Sequence, residues 1–296
     1  MSADAAPLAP ASSASSDAAR AGWHGALQLN YQHERGRSVA RFAHQGPLRV
    51  LQSLYPEGDA VCHNVLVHPP GGLVGGDVLE IDVQVGAGAH GLVTTPGATR
   101  YYRSAHGQAR QSVRARLHED SRLEWLPLET LAYNQCDGLN EARFDLAPSA
   151  ELITWDLTAL GLPMADQPFV QGRLLQHLEV KDAWLERGVI EASDARLLDG
   201  PLGLAGHRCV GTLVFARGSD CPPAQRDAAL ELAREHIARA PEGVIAGVTA
   251  AHPRVIVLRT LSGLVEPSQN LLRAVWAAWR QGLWQLGDAP PRIWAM

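Results

Sequence analysis

The chain has 296 residues, of which 46% are hydrophobic and 19% charged, and it carries a formal net charge of −5. That length can bury a substantial core, as one large domain or two small ones. Without a basic balance the composition argues against a nucleic-acid partner. No apolar run approaches the roughly 20 residues that a bilayer span requires, so no membrane partner is expected.

Residues 1–22 are rich in Ala, Ser and Pro and lack a basic segment followed by an apolar one. They read as a disordered leader rather than a secretory signal. The four cysteines, Cys62, Cys136, Cys209 and Cys221, are scattered and suggest no dense disulfide framework. A cytoplasmic protein is the simplest expectation, with residues 23–296 forming a single β-rich domain.

Order is expected from about Trp23, with short strands and turns at Gly36 and Gly46-Pro47. AVCHNVLVH is a further strand. The most distinctive stretch follows, from His68 to Arg103. It opens with PPGGLVGGD, which is turn chemistry. VLEIDVQV then alternates with a period of two, setting Glu80 and Asp82 on one face and Leu79, Ile81, Val83 and Val85 on the other. GAGAHG reads as a hairpin turn, and LVTT continues as strand until Pro96-Gly97. Alternation resumes between Gln108 and Cys136, where Arg114 and Arg116 share a solvated face. ARFDLAPSAELITWDLTALGLP gives two strands about Pro148-Ser149. Turn signals every 8 to 12 residues or so predict a mainly β fold of stacked or elongated sheets. Neither a linker nor a repeat of fixed period is apparent.

Two helices are predicted toward the C-terminus. One starts after Pro222-Pro223 and runs to Pro241. The other is capped by Ser268 and carries Leu272, Val275, Trp276, Trp279 and Leu283 at helical spacing. Between them RVIVLRT is a buried strand, and PPRIWAM closes the chain as an extended tail.

Motifs for chemistry are sparse. Gly86 to Gly91 satisfies G-x-G-x-x-G, but β-branched residues and a proline follow where a dinucleotide site needs a helix. PPGGLVGGD lacks the Lys-Ser/Thr of a phosphate loop, and Asp77 would repel phosphate. There is no G-x-S-x-G elbow, C-x-x-C or H-E-x-x-H. Three acids stand in apolar company: Asp77, Asp156 and Glu191. A buried carboxylate costs free energy unless it is paired or lines a wet cavity, and carboxylates bind divalent cations reversibly. The alternative is a turn cap for Asp77 and ordinary ion pairs for the others. Trp276, Trp279 and Trp294 belong to an aromatic concentration that suits either a core or a protein interface.

Several motifs, in order, closely resemble the urease accessory protein D family (UreD, called UreH in some organisms). They are Pro69 to Asp77, Thr94 to Ser104, Leu123 to Pro127, Trp155-Asp156 with Leu160 to Pro163, Gly200 to Gly203, and Pro290 to Trp294. Many members have an arginine after the Leu-Gly of the mid-chain motif, where this chain has Leu162-Pro163. The resemblance implies a non-enzymatic scaffold that acts with accessory proteins F and G, the latter a GTPase, and docks on apo-urease. Nickel would be cargo in transit, with no tightly bound cofactor. On this reading Asp77, Asp156 and Glu191 are candidates for the metal path, and Gly71, Gly72, Gly75, Gly76, Thr99 and Tyr101 are motif or channel candidates. Trp276, Trp279 and Trp294 become candidates for the surface that faces protein F. A small-molecule hydrolase on a β-rich scaffold remains the alternative.

Overall fold

A computed structural model describes residues 22–287 and 290–295. The predicted leader lies outside the described residues, apart from Gly22. From Val78 onward the strands fall alternately in two stacked sheets. Val78–Val85, Ala109–Leu117, Cys136–Leu146 and Gly172–Val180 lie side by side in the first sheet. His90–Thr94, Arg122–Leu126 and Glu151–Leu162 lie side by side in the second. All these neighbours are parallel.

That arrangement is a coil. Each turn of chain crosses from one sheet to the other and stacks on the turn before it, as in a solenoid. The register pairs Val78 with Arg110, Ala109 with Gly138, and Cys136 with Gly172, offsets of 32, 29 and 36 residues. Unequal offsets leave no fixed sequence period. They also overturn one expectation: GAGAHG is not a hairpin. Val78–Val85 and His90–Thr94 belong to different sheets, and the glycines form the corner between them, where Gly88 has a φ of 70°.

Antiparallel strands finish both sheets. His24–Glu34 joins the first in parallel with Val78–Val85 and forms a hairpin with Arg37–Gln45. Trp184–Glu191 closes the opposite edge. In the second sheet Cys209–Arg217, Val255–Ser262 and Ile245–His252 follow Glu151–Leu162 in antiparallel order. RVIVLRT is thus the buried strand its composition predicts, with Val255, Ile256, Val257 and Leu258 all buried.

Helix α1 (Ala195–Asp199) is short and was not anticipated. Helix α2 (Pro223–Ile237) starts at the expected prolines. Helix α3 (Val265–Trp284) begins before its expected cap. Ser268 lies inside it, with its hydroxyl 2.7 Å from that of Ser262. The tail is also not extended: Arg292–Ala295 form a 3₁₀ turn that tucks Trp294 against Trp155 and Trp276. Two apolar cores result. One fills the space between the sheets, and the other lies between the second sheet and α2 and α3.

A buried ionic cluster pins α3 to the second sheet. Arg280, wholly buried, contacts Glu124 at 3.1 Å and Glu57 at 2.9 Å. His90 bonds Glu124 at 2.8 Å, His63 bonds Glu57 at 2.6 Å, and the Trp276 indole donates to Glu124 at 2.6 Å. Burial works against charge on Glu124, yet His90, Arg280 and Trp276 together hold its carboxyl below the usual value. Removing one partner of such a pair costs about 3–5 kcal/mol, because the other is left charged and dry. Arg280→Met is therefore expected to lower unfolding free energy by about that amount in urea denaturation. Adding Glu124→Gln should restore part of the loss.

Candidate functional site

The inner faces of the two sheets are not wholly apolar. Alternation along Ala109–Leu117, Cys136–Leu146 and Gly172–Val180 points Gln111, Asn140 and Gln176 inward among apolar neighbours. The parallel register sets these three amides in one row, since Asn140 pairs with both Gln111 and Gln176. The second sheet carries a matching row. Thr130 pairs with Thr99 on one side and Thr158 on the other. A ladder of amides and a ladder of threonines thus form a polar seam through the inter-sheet core.

Asp156 lies at the end of this seam, on strand Glu151–Leu162. Its carboxylate accepts from Asn140 Nδ2 at 2.7 Å, Gln176 Nε2 at 2.8 Å and Thr158 Oγ1 at 2.9 Å. All three donors are neutral. Asp156 is half-buried and lines a cavity between the sheets. Burial pushes its carboxyl up to about 6; the charge of Glu186 adds to the rise, while the bonds from Thr158, Gln176 and Asn140 oppose it.

The cavity measures about 40 Å³ and is lined by Asp156 with Gln111, Asn140 and Gln176 on the first sheet and Thr99, Thr130 and Thr212 on the second. That volume is room for a few water molecules, with several polar partners around them. A second cavity of about 190 Å³ adjoins it, sharing Thr99 and Gln111. That one is lined by His68, Gly71 and the Thr95–Arg100 segment, and reaches the surface at the exposed Pro96 and Gly97. Polar groups therefore run from a surface mouth near the Gly-rich loop to a buried carboxylate.

The other predicted site residues lie apart from Asp156. The three acids border three different cavities: Asp77 one beside Trp23 and Tyr102, Asp156 the inter-sheet cavity, and Glu191 a shallow depression beside Asp137 and Arg173. Asp77 is the turn cap of the alternative reading, accepting from Trp23 N at 2.8 Å and Val74 N at 2.9 Å. Glu191 is exposed at the end of an edge strand, so its apolar sequence context does not bury it.

The motif glycines serve the loop itself. Gly71 and Gly76 adopt φ of 75° and 89°, and side chains on Gly72 and Gly75 would strike Tyr102 and Ser104. Of the two companions, Thr99 lines both cavities. Tyr101 is a buried wall whose hydroxyl donates to the Leu139 carbonyl at 2.9 Å.

Trp276, Trp279 and Trp294 are not surface residues. They are buried in the helix-facing core, and their indoles donate to Glu124, the Ala229 carbonyl and Thr94. Inside this fold they offer no face to a partner.

Nor does a hydrolase geometry emerge on the first sheet's outer face, where Ser112, Glu141 and His177 share a row. The Ser112 hydroxyl donates to Glu141 while His177 bonds Glu179, so serine and histidine do not meet.

Sequence reasoning missed Gln111, Asn140, Gln176, Thr130 and Thr158. The available signal was one inward polar residue in each of several alternating strands. It becomes a ladder only once the parallel register is known.

The chain is thus a β-solenoid with a polar seam through its inter-sheet core. The sequence model of the UreD urease accessory protein family matches residues 24–295. Urease accessory protein UreD of Albidiferax ferrireducens is 57% identical over 274 residues, spanning 93% of this chain and 99% of that one. The proteins of the same description from Variovorax paradoxus and Paracidovorax citrulli are each 56% identical, over 273 and 274 residues, with 92% and 93% of this chain covered and 99% of each relative. The chain belongs to the UreD family of urease accessory proteins, which by that description are accessory proteins rather than catalysts.

Asp156 ties stability to pH. The folded carboxyl keeps its proton to about pH 6, whereas an unfolded Asp releases it near 3.9. Folding thus binds protons between these values, and the contribution present below the unfolded value is lost as pH rises through about 6, roughly 3 kcal/mol in all. Asp156→Asn should abolish this component, so the difference in urea midpoint between wild type and variant should change across pH 4 to 7 and then level off.

Proposed function

We propose that the protein is a scaffold for urease maturation that conducts nickel, in a complex with accessory proteins F and G, to apo-urease in the cytoplasm. Nickel is cargo on this reading and no cofactor is held tightly. The observation that carries it is Asp156, a carboxylate enclosed at the end of a polar seam with neutral donors alone. A cation arriving there finds a carboxylate with no cationic partner, and Asn140, Gln176 and Thr158 must turn from donating to it before they offer oxygen. A structural ion pair would already have supplied the positive charge. Carboxylate, amide and water ligands hold a divalent ion loosely enough to release it, as a conduit requires.

The seam also explains how the ion could cross a protein core. The amide row and the threonine row set polar atoms on both sides of a cavity otherwise lined by apolar side chains such as Trp125, Leu128 and Trp155. Asp77 and Glu191 lie off this route and take no part in it here.

The test is urease activity and nickel content in a host carrying the urease structural and accessory genes. Asp156→Ala should abolish nickel loading while the protein still folds and binds its partners in pull-down. Glu191→Ala should load nickel like wild type. Asp77→Ala should act through folding, since it strands the backbone N–H groups of Trp23 and Val74, at up to about 1–3 kcal/mol for each. Full nickel loading by Asp156→Ala would sink the conduit reading.

A further inference from the structure

The strand order of each sheet ends in two edge strands. Arg37–Gln45 and Trp184–Glu191 bound the first sheet, and Arg49–Leu54 and Ile245–His252 bound the second. An open edge offers unpaired backbone N–H and C=O groups to any other strand, and charges, prolines or breaks in register keep such strands away. Three of these edges carry a guard. Arg37 and Arg41 lie on one, Glu186, Arg187 and Glu191 on another, and a register shift breaks Arg49–Leu54 after Val50.

Ile245–His252 is different. It reads IAGVTAAH, with no Asp, Glu, Lys, Arg or Pro. Its one irregularity, at Ala251, comes near its end and leaves Ile245–Ala250 in regular register with Ile256–Leu261. Among the described residues nothing pairs with its outer side. Ala246 and Val248 pack into the helix-facing core, while Ile245, Gly247 and Thr249 on the other face are open to solvent, with Ile245 54% exposed.

The strand is also complementary to itself. A two-fold axis through an antiparallel pair sets one residue opposite its own copy, and centring it on Val248 gives the longest overlap, Ile245 to Ala251. Ala246 then faces Ala250, and Gly247 faces Thr249, so no charge opposes its like. The same axis carries Glu242, exposed just before the strand, toward Arg254 of the second copy, just after it. Arg37–Gln45 centred in the same way would set Arg41 against Arg41. We propose that Ile245–His252 is a self-association edge, through which two copies of this chain join their second sheets antiparallel into one continuous sheet. Main-chain hydrogen bonds supply the affinity, as in other strand additions, and the small side chains at Gly247, Thr249 and Ala250 let the two backbones approach. The contact is isologous, so it closes at two copies.

Sedimentation equilibrium of the full chain tests the edge. Wild type should pass from the mass of one chain to that of two as concentration rises, and no further. Gly247→Lys puts a charge on the open face, where an added Cβ meets nothing within 4 Å. It should remain a single chain at concentrations where wild type has paired, with an unchanged circular dichroism spectrum. Cysteine cross-linking reads the register, since the four native thiols are buried. Gly247→Cys mixed with Thr249→Cys should give disulfide-linked pairs under oxidation, because directly opposed residues lie about 5 Å apart. Either variant alone sets its thiols diagonally, about 7–8 Å apart, and should not cross-link. A wild type that stays single at every concentration would overturn the proposal and leave the edge to a strand from a different protein. Growth past two copies would overturn it as well, and so would equal association by a folded Gly247→Lys. Cross-links in the single variants that match those in the mixture would sink the two-fold register.

Discussion

An enclosed carboxylate with no cation beside it must be solvated by its own protein, and the inter-sheet core is arranged around that requirement. Asp156 takes three hydrogen bonds from Asn140, Thr158 and Gln176. Each donor must then be placed where its remaining polar atoms are also satisfied, or the cost merely moves outward. Gln176 bonds Thr158 as well as Asp156, and Gln111 reaches Asn140 at 3.4 Å. One acid thus propagates polarity across several strands. The seam is the consequence of hosting a charge in a core that otherwise packs Leu, Val and Ala.

Only a parallel coil builds such a seam economically. In a hairpin, facing residues are close in sequence, and a polar row would need polar residues clustered in one short segment. Here Gln111, Asn140 and Gln176 sit about one coil turn apart, so each strand gives up a single inward position and keeps the rest apolar. The same stacking makes register unforgiving. A slip of one residue would turn Asn140 outward and bring its charged neighbour Glu141 into the core.

This is also why the sequence was legible in parts. Local periodicity identified the strands and the mainly β class, because alternation in VLEIDVQV or RVIVLRT depends only on near neighbours. Helix α2 followed from its prolines and helix formers. What failed were inferences about how elements associate. GAGAHG has good turn chemistry, and a corner between sheets uses the same residues as a hairpin, so composition cannot separate them. Ser268 and the C-terminal Trp294 were misread because tertiary packing sets where α3 begins and where the tail folds. Asp156 was recognisable as an acid within an apolar strand. Glu191 carried the same signal and proved exposed, since an edge strand buries so little of its length. Their difference lies in strand order, which the sequence does not display.

Two of the acids that the fold encloses, Glu124 and Asp156, differ in how their charge is met. Glu124 is met by Arg280, His90 and Trp276 inside the packed contact between α3 and the second sheet. Its charge is compensated, and the cluster fixes the helix layer in place. Asp156 has neutral partners and borders a cavity that Glu186 also lines. A carboxylate wholly compensated by its own fold has nothing to offer a visiting cation. One left uncompensated is a standing cost in stability that packing alone would remove, by replacing Asp156 and its amides with apolar side chains of similar size. Retaining such a group where a cavity reaches it is the arrangement that the proposed conduit would require.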